Sequence, residues 1–372
     1  MKKIIVLLIL VLIPFKVLGN NIELAENSKS AIMLEASTGS IIFEKNSHER
    51  FNPASMTKMM SMLLIMEAIE NNVINWDEMV TISENASSMG GSQILLETNE
   101  KMSVEDLFKG VAIASGNDAV VALAEKIAGT ETVFVKMMND KANELGLKDT
   151  HFVNPHGLDS ENHYSSAYDM SVIARELVKH EKVLEYTSIY ETYLRENLKT
   201  KIWLVNTNKL VRFYDGVDGL KTGFTNKAGY CLTATAKKNN MRIIAVVMGE
   251  PDSKTRNKEV SEMLDYAYAQ YMITTIVKEN QVLDTIEIEK AKENKYDVIS
   301  IKDINILHKK NEKVSTDYKV NINKIKTPLN KGDIVGNISI GNRLEYIYIA
   351  SDVKKANIFE LYIKYLKNMF IL

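Results

Sequence analysis

The chain has 372 residues, 45% hydrophobic and 25% charged, the balance of an ordinary folded protein that can bury a sizeable core, and its length favours two domains over one. Lys and Arg number 46 against 48 Asp and Glu, for a formal net charge of -2; this gives no global basic excess for nucleic acid and no acidic excess of the kind that keeps a chain unfolded. The single cysteine, Cys231, excludes an intramolecular disulfide and disfavours a structural zinc site.

Lys2 and Lys3 precede an apolar run over residues 4–13, followed by Pro14 and the small Gly19. That order predicts a secretory signal peptide over residues 1–19. A short membrane anchor is the alternative, although the run falls short of the ~20 residues that a spanning helix needs. Either way the remainder is expected to be exported to the extracytoplasmic face of the cytoplasmic membrane. Loss of Lys2, Lys3 and Lys16 with the signal would leave a net charge of about -5.

Residues 31–35 and 40–44 are short apolar runs around Ala36-Ser37-Thr38-Gly39 and read as a β-hairpin. After Asn52-Pro53 a helix is expected over about residues 55–69, apolar nearly all round and so threaded through the core. Ser87 to Ser92 reads as a polar loop, and Ser103-Val104-Glu105-Asp106 opens a helix with acids in its first turn. Ala114-Ser115-Gly116-Asn117 is a polar turn before a further helix that ends at Gly129. Helices over residues 132–145 and 167–179 flank the turn-rich Asn154-Pro155-His156-Gly157. Residues 217–223, 230–236 and 241–248 then read as strands and 255–271 as a long helix.

A hairpin, then helices, then strands again predict an α+β domain over residues 20–275, with helices around a sheet assembled from both ends of the segment. Short alternating runs follow, with Gly332, Gly336 and Gly341 as turns, and predict a small all-β domain over residues 276–352. Residues 353–372 carry a helical pattern in which Glu360, Lys364, Lys367 and Asn368 share one face opposite aromatic and aliphatic residues. This suits an amphipathic helix lying on a membrane surface, with packing on the protein's own core as the alternative.

The chemistry centres on Ser55-Met56-Thr57-Lys58. A serine hydroxyl becomes a nucleophile when a neighbouring base takes its proton, and a lysine is such a base only where burial or nearby positive charge disfavours its ammonium. Lys58 lies one turn from Ser55 on an apolar helix, and Lys221 could supply the second charge. Ser115 and Asn117 add a hydroxyl to pass a proton and an amide to hold a substrate. Lys221-Thr222-Gly223 combines a cation, a hydroxyl and a bare backbone on a strand, along which a peptide ending in a carboxylate could lie. Singly, each has a plainer reading: Ser55 as a helix cap, Lys58 as a snorkelling side chain, the Ser115 triplet as a turn and Gly223 as a bulge. Spacing alone decides little, since Ser351 and Lys354 repeat it. The three together, in order and in these contexts, point to one cleft. No His-Glu-x-x-His or comparable cluster among the six histidines suggests metal hydrolysis, and neither metal nor cofactor is expected.

These three motifs resemble the signatures of penicillin-binding enzymes and serine β-lactamases. With their flanks, Pro53-Ala54-Ser55, Ser115-Gly116-Asn117-Asp118-Ala119, Asn154-Pro155-His156-Gly157-Leu158 and Asp218-Gly219-Leu220-Lys221-Thr222-Gly223-Phe224-Thr225, the chain resembles the low-molecular-mass penicillin-binding proteins that are D-alanyl-D-alanine carboxypeptidases, over about residues 28–272. The small β domain and terminal helix resemble that family's layout less specifically. The resemblance implies a β-lactamase-like transpeptidase domain and a serine peptidase that removes the terminal D-alanine from peptidoglycan pentapeptides. It implies Ser55 as acyl-enzyme nucleophile, Lys58 as base, and Ser115 and Asn117 in proton transfer and substrate binding. Lys221, Thr222 and, as a further contact, Arg256 would hold the substrate carboxylate beside Gly223, with the backbone N–H groups of Ser55 and Phe224 as an oxyanion hole. β-Lactam antibiotics would be inhibitors. Gly116 stands where many β-lactamases carry aspartate, and no Glu-x-x-Leu-Asn stretch is present, which points away from β-lactamase activity. The alternatives are a DD-endopeptidase on crosslinked peptidoglycan and an inactive cell-wall-binding protein on the same scaffold.

Overall fold

Both ends of the first domain meet in one antiparallel sheet. In the computed structural model, which describes residues 23–196, 198–341 and 343–370, β1 (Ser30–Glu35), β2 (Ile41–Lys45), β3 (Val217–Thr225), β4 (Gly229–Lys238) and β5 (Met241–Glu250) stand in the order β2-β1-β5-β4-β3. The signal segment expected over residues 1–19 and the last two residues of the terminal helix lie outside the described residues. Strands β1 and β5 read as nearly continuous apolar runs because the sheet is covered on both faces. Ile32, Ile244 and Val246 face the helical side, while Ala31, Met33, Ile243 and Val247 face the other, the two-residue alternation of a strand.

On the helical side lie α1 (Lys58–Glu70), α2 (Val104–Ala112), α3 (Asn117–Ala128), α4 (Glu131–Glu144) and α5 (Ala167–Leu177). Helix α1 is the central element, buried from Lys58 through Met66 and packed against α2, α3, α4 and α5. Four of its methionines, Met59, Met60, Met62 and Met66, fill the space between helices of different orientation, which suits an unbranched, adaptable side chain. The opposite face of the sheet is covered by α6 (Ser253–Gln270), capped by Asp252, whose carboxylate accepts from the backbone N–H of Lys254 and Thr255. A hairpin of Glu191–Leu194 and Ile202–Val205, which the sequence pattern did not reveal, leads into Thr207, whose hydroxyl accepts from Thr222 on β3.

Beyond α6, Tyr271–Val277 pairs with Ile304–Lys309, and five further strands form an antiparallel sheet around Val298, Ile338, Ile347 and Ile349. Gly332 and Gly341 sit in turns with φ of 90° and 56°. Gly336, expected as a turn, lies instead inside the strand Ile334–Ile340, where a Cβ would come within 2.1 Å of the Asn321 carbonyl oxygen; the glycine is there for close strand approach. Asn305 Nδ2 donates to Ser37 Oγ at 3.2 Å, a contact across the two domains. Ser351 and Lys354, the second Ser-x-x-Lys spacing, are both exposed at the end of this domain.

The terminal helix α7 (Ile358–Phe370) begins at a reciprocal cap in which the backbone N–H of Glu360 donates to Asn357 Oδ1 and that of Asn357 to Glu360 Oε2. Its polar side meets the β domain: Glu360 pairs with Lys292 at 3.1 Å, and Lys364 donates to the Ala291 and Glu293 carbonyls. Ile358, Phe359 and Tyr362 point away from the protein, 88%, 69% and 61% exposed. Among the described residues no helix is long and apolar enough to cross a membrane.

Candidate active site

The helix expected from Ser55 starts instead as a 3₁₀ turn, Ala54–Thr57, and becomes α-helical at Lys58. Ala54 holds a left-handed φ of 47°, unusual for a residue with a Cβ, so surrounding structure must impose it. Two glycines allow that structure to close in. A Cβ on Gly157 would stand 1.9 Å from the Ala54 carbonyl oxygen, and one on Gly223 would stand 2.7 Å from that of Pro53 and 3.3 Å from the backbone nitrogen of Met56. The Asn154–Leu158 loop and β3 thus grip the serine turn from two sides. His163 secures it further: Val153 N–H donates to Nδ1 at 3.0 Å, so Nε2 carries the proton and donates to Thr57 Oγ1 at 2.8 Å.

Lys58 is fully buried, and its Nζ lies 3.1 Å from Ser55 Oγ, 2.6 Å from Asn117 Oδ1 and 2.7 Å from the His156 carbonyl oxygen. Burial first, and then the nearby Lys221 ammonium, hold its amine well below the ordinary lysine range, with Asp118 pulling the other way. A neutral amine has two hydrogens and one lone pair. Asn117 and His156 can take the two hydrogens, which leaves the lone pair for the Ser55 hydroxyl.

Ser115 occupies the polar turn between α2 and α3, with φ of 64°. Its Oγ is buried without a hydrogen-bond partner, which is costly in a folded protein unless a ligand or a reaction uses the group. Asn117 opens α3 with its amide held at both ends, Oδ1 by Lys58 and Nδ2 by the Gly90 carbonyl at 2.6 Å. Asp118 beside it accepts from the backbone N–H groups of Ile94 and Leu96. The polar loop around Gly90 is thereby pinned over the cleft.

On β3, Lys221 is buried and donates to the Thr222 carbonyl at 3.0 Å, while Thr222 Oγ1 donates to Thr207 Oγ1 at 2.7 Å. Burial and then the Arg256 guanidinium push the Lys221 amine down to about 7. Arg256, in the first turns of α6, is 5% exposed, with Nε and Nη2 donating to Asn257 Oδ1. Ser55, Ser115, Thr222, Gly223, Phe224 and Arg256 line one cleft of about 460 Å³. Lys58, Asn117 and Lys221 stand directly behind it, so the nine residues singled out in the sequence converge. A serine hydroxyl beside a lysine amine whose pKa is held low, faced by further cations, is an arrangement suited to acyl transfer onto serine.

No role was legible in the sequence for the His156 carbonyl, for Asp118, or for Thr207, Lys209 and Asn257 along the cleft. The first is a backbone atom, which leaves no signal in side-chain identity. His156 itself is held neutral, its imidazole pushed down to about 3 by burial and then by Lys58. Asp118 was legible as the residue after Asn117, in the first turn of a helix.

The chain is similar to known proteins over most of its length. Residues 20–252 match the family model described as D-alanyl-D-alanine carboxypeptidase, and residues 271–355 match that of the penicillin-binding protein 5 C-terminal domain. The chain is 51% identical over 342 residues to D-alanyl-D-alanine carboxypeptidase DacF of Bacillus subtilis (strain 168), covering 90% of this chain and 88% of the relative. Penicillin binding protein 5 from Haemophilus influenzae superposes with a TM-score of 0.73 at 30% identity, over 90% of this chain and 98% of that one. Penicillin-Binding Protein D2 from Listeria monocytogenes, solved in an ampicillin-bound form, superposes with a TM-score of 0.59 at 30% identity, over 67% and 99%. The fold is that of penicillin-binding proteins. Within that class, the chain belongs to the D-alanyl-D-alanine carboxypeptidase family.

Proposed function

We propose that this chain is a serine D-alanyl-D-alanine carboxypeptidase that removes the terminal D-alanine from peptidoglycan stem peptides, working at the outer face of the cytoplasmic membrane. The observation that carries the reading is the buried Lys58 amine, 3.1 Å from Ser55 Oγ, whose pKa burial and then Lys221 hold well below the ordinary lysine range. Lys58 takes the hydroxyl proton as Ser55 Oγ bonds to the penultimate D-alanine carbonyl carbon. The N–H groups of Ser55 and Phe224 receive the developing oxyanion. Thr222, Lys221 and Arg256 hold the terminal carboxylate, whose charge also favours the protonated form of Lys221. Asn117 fixes the substrate amide. The otherwise unpartnered Ser115 hydroxyl passes the proton to the departing amine, and water then hydrolyses the ester. β-Lactams enter by the same route, with the lactam amide in place of the peptide bond.

Retention at the membrane is assigned to α7. Its polar side is occupied by Lys292 and carbonyls of the β domain, while Ile358, Phe359 and Tyr362 face outward, an orientation that suits a helix lying in a lipid interface. The activity is tested by D-alanine release from diacetyl-Lys-D-Ala-D-Ala: turnover by the wild type and none by Ser55→Ala is expected, and no turnover by either would reject it. Deletion of residues 353–372 should move the protein from the membrane to the soluble fraction; retention by the truncated chain would reject the anchor.

A further inference from the structure

Near Arg256 lies a buried pair of carboxyl groups that the chemistry above does not use. Glu250 ends β5, two residues before the Asp252 cap of α6, and Glu259 stands three residues beyond Arg256 on that helix. They are 1% and 3% exposed. The segment ahead of β1 closes over them: the backbone N–H and Nδ2 of Asn27 donate to Glu259 Oε1 at 2.8 and 2.6 Å. Ser28 Oγ meets both acids, at Glu250 Oε1 and, at 3.0 Å, at Glu259 Oε2. Glu250 Oε2 is buried without a partner.

Hydrogen counting decides which acid is ionised. Ser28 has one hydroxyl hydrogen and two carboxyl oxygens to satisfy, so one of the two contacts needs a proton from an acid. Glu259 already receives two donors from Asn27, which suits a carboxylate, whereas an ionised Glu250 would bury an oxygen that nothing solvates. A proton on Glu250 Oε1 completes a chain in which Glu250 donates to Ser28 and Ser28 to Glu259. The surroundings agree. Burial and then Glu259 push the Glu250 carboxyl up to about 8, with Ser28 and Lys45 of β2 pulling the other way. Against its own burial, the bonds from Glu250 and Asn27 hold Glu259 below the ordinary carboxylate range. The other groups around Glu250 are Arg256 on α6, Lys29 alongside Gly249, Tyr230 opposite in register on β4, and the Cys231 thiol, which burial pushes up to about 11.

The neutrality of Glu250 matters because of Arg256. That guanidinium lines the cleft, its hydrogen bonds go to the neutral Asn257 amide, and it forms no ion pair among the described residues. Glu250 is the carboxyl whose charge would reach it. A carboxylate there would be a permanent internal counterion and would weaken the pull of Arg256 on a bound anion. We propose that Glu250 is a positioning residue for the carboxylate end of the substrate: as a neutral acid, bridged through Ser28 to Glu259, it braces the first turns of α6 and leaves the charge of Arg256 uncompensated. The inference rests on the reading in which Arg256 holds the terminal carboxylate. Below about pH 8 Glu250 is neutral and Arg256 acts at full strength; above it Glu250 ionises and the substrate meets a weaker field.

The test follows kcat and KM for D-alanine release from diacetyl-Lys-D-Ala-D-Ala between about pH 6.5 and 9.5, in the wild type, Glu250→Gln, Arg256→Ala and the double variant. Glutamine keeps the shape of the acid and stays neutral throughout. The ratio of the wild-type KM to that of Glu250→Gln should rise about fivefold across this range while the kcat ratio stays constant. In the Arg256→Ala background that rise should vanish. Carbon-13 NMR of glutamate-labelled wild type reads the acid directly: one carboxyl resonance should titrate near pH 8 and be absent from Glu250→Gln. A KM ratio that is flat with pH, a rise that survives in Arg256→Ala, or the absence of a glutamate titrating above the ordinary carboxylate range overturns the inference. A wild-type KM in Arg256→Ala overturns the assignment of Arg256 to the substrate carboxylate, and the inference with it. No D-alanine release by the wild type overturns the carboxypeptidase reading, while the NMR titration still decides whether Glu250 is neutral.

Discussion

Replacing Gly223 by alanine should damage the chemistry more than the fold. Gly223 faces the serine turn, and the added Cβ would stand 2.7 Å from the Pro53 carbonyl oxygen, 3.1 Å from Ala54 Cβ and 3.3 Å from the Met56 nitrogen. Two of these neighbours are backbone atoms that no side-chain rotation can move. Restoring an ordinary contact of 3.4 Å requires β3 and the turn to part by about 0.7 Å. That motion separates Ser55 from Thr222 and from the Phe224 N–H, the groups that hold substrate and oxyanion. A displacement of about 1 Å costs on the order of 100-fold in rate, so acylation by a fluorescent penicillin should slow by roughly 10- to 100-fold. Overpacking of this kind costs about 1–3 kcal/mol, which leaves the domain folded at 25 °C. The second-order acylation rate, measured beside circular dichroism, decides the matter. A Gly223→Ala variant that is acylated within about threefold of the wild-type rate would refute the claim that strand and turn must touch.

Ser115→Ala removes a buried hydroxyl that has no partner, so the melting temperature should hold or rise while acylation falls about 100-fold; a lower melting temperature would show that the hydroxyl is structural. The pH profile should be bell-shaped: activity rises as Lys58 loses its proton and falls as Lys221, pushed down to about 7, loses its own. The alkaline limb should lie near pH 7 in kcat/KM and higher in kcat, where a bound carboxylate supports the Lys221 charge; a steady rise through pH 9 would contradict these assignments. Arg195 joins the hairpin to the loop over the cleft, with Nε and Nη2 on Glu100 at 2.6 and 2.7 Å and further bonds to the Ile94 and Leu95 carbonyls. Arg195→Ala should cost about 2 kcal/mol, or roughly 4–8 °C by calorimetry; an unchanged melting temperature would show that the clamp is idle.

What the sequence revealed and what it hid divide along physical lines. Helix α1 was legible because residues 59–66 are almost wholly apolar, and the main strands because alternation and β-branched residues extend over seven or more positions. The Ser115 turn was legible from its polar residues between two helical patterns. The 3₁₀ turn at Ala54 was not, because its left-handed backbone is imposed by the approach of the Gly157 loop and Gly223, which lie about 100 and 170 residues away in the chain. Each strand of the hairpin at 191–205 has four residues, too few for periodicity to declare itself. The convergence of Ser55, Lys58, Ser115 and Lys221 was anticipated from motif context, whereas the His156 carbonyl that receives a Lys58 hydrogen needed three dimensions.

The central claim is that Ser55 is the nucleophile, and intact-protein mass spectrometry after incubation with penicillin tests it most directly. One covalent adduct should form on the wild type, map to the peptide that contains Ser55, and be absent from Ser55→Ala. An unmodified wild type, or an undiminished adduct on Ser55→Ala, would contradict it.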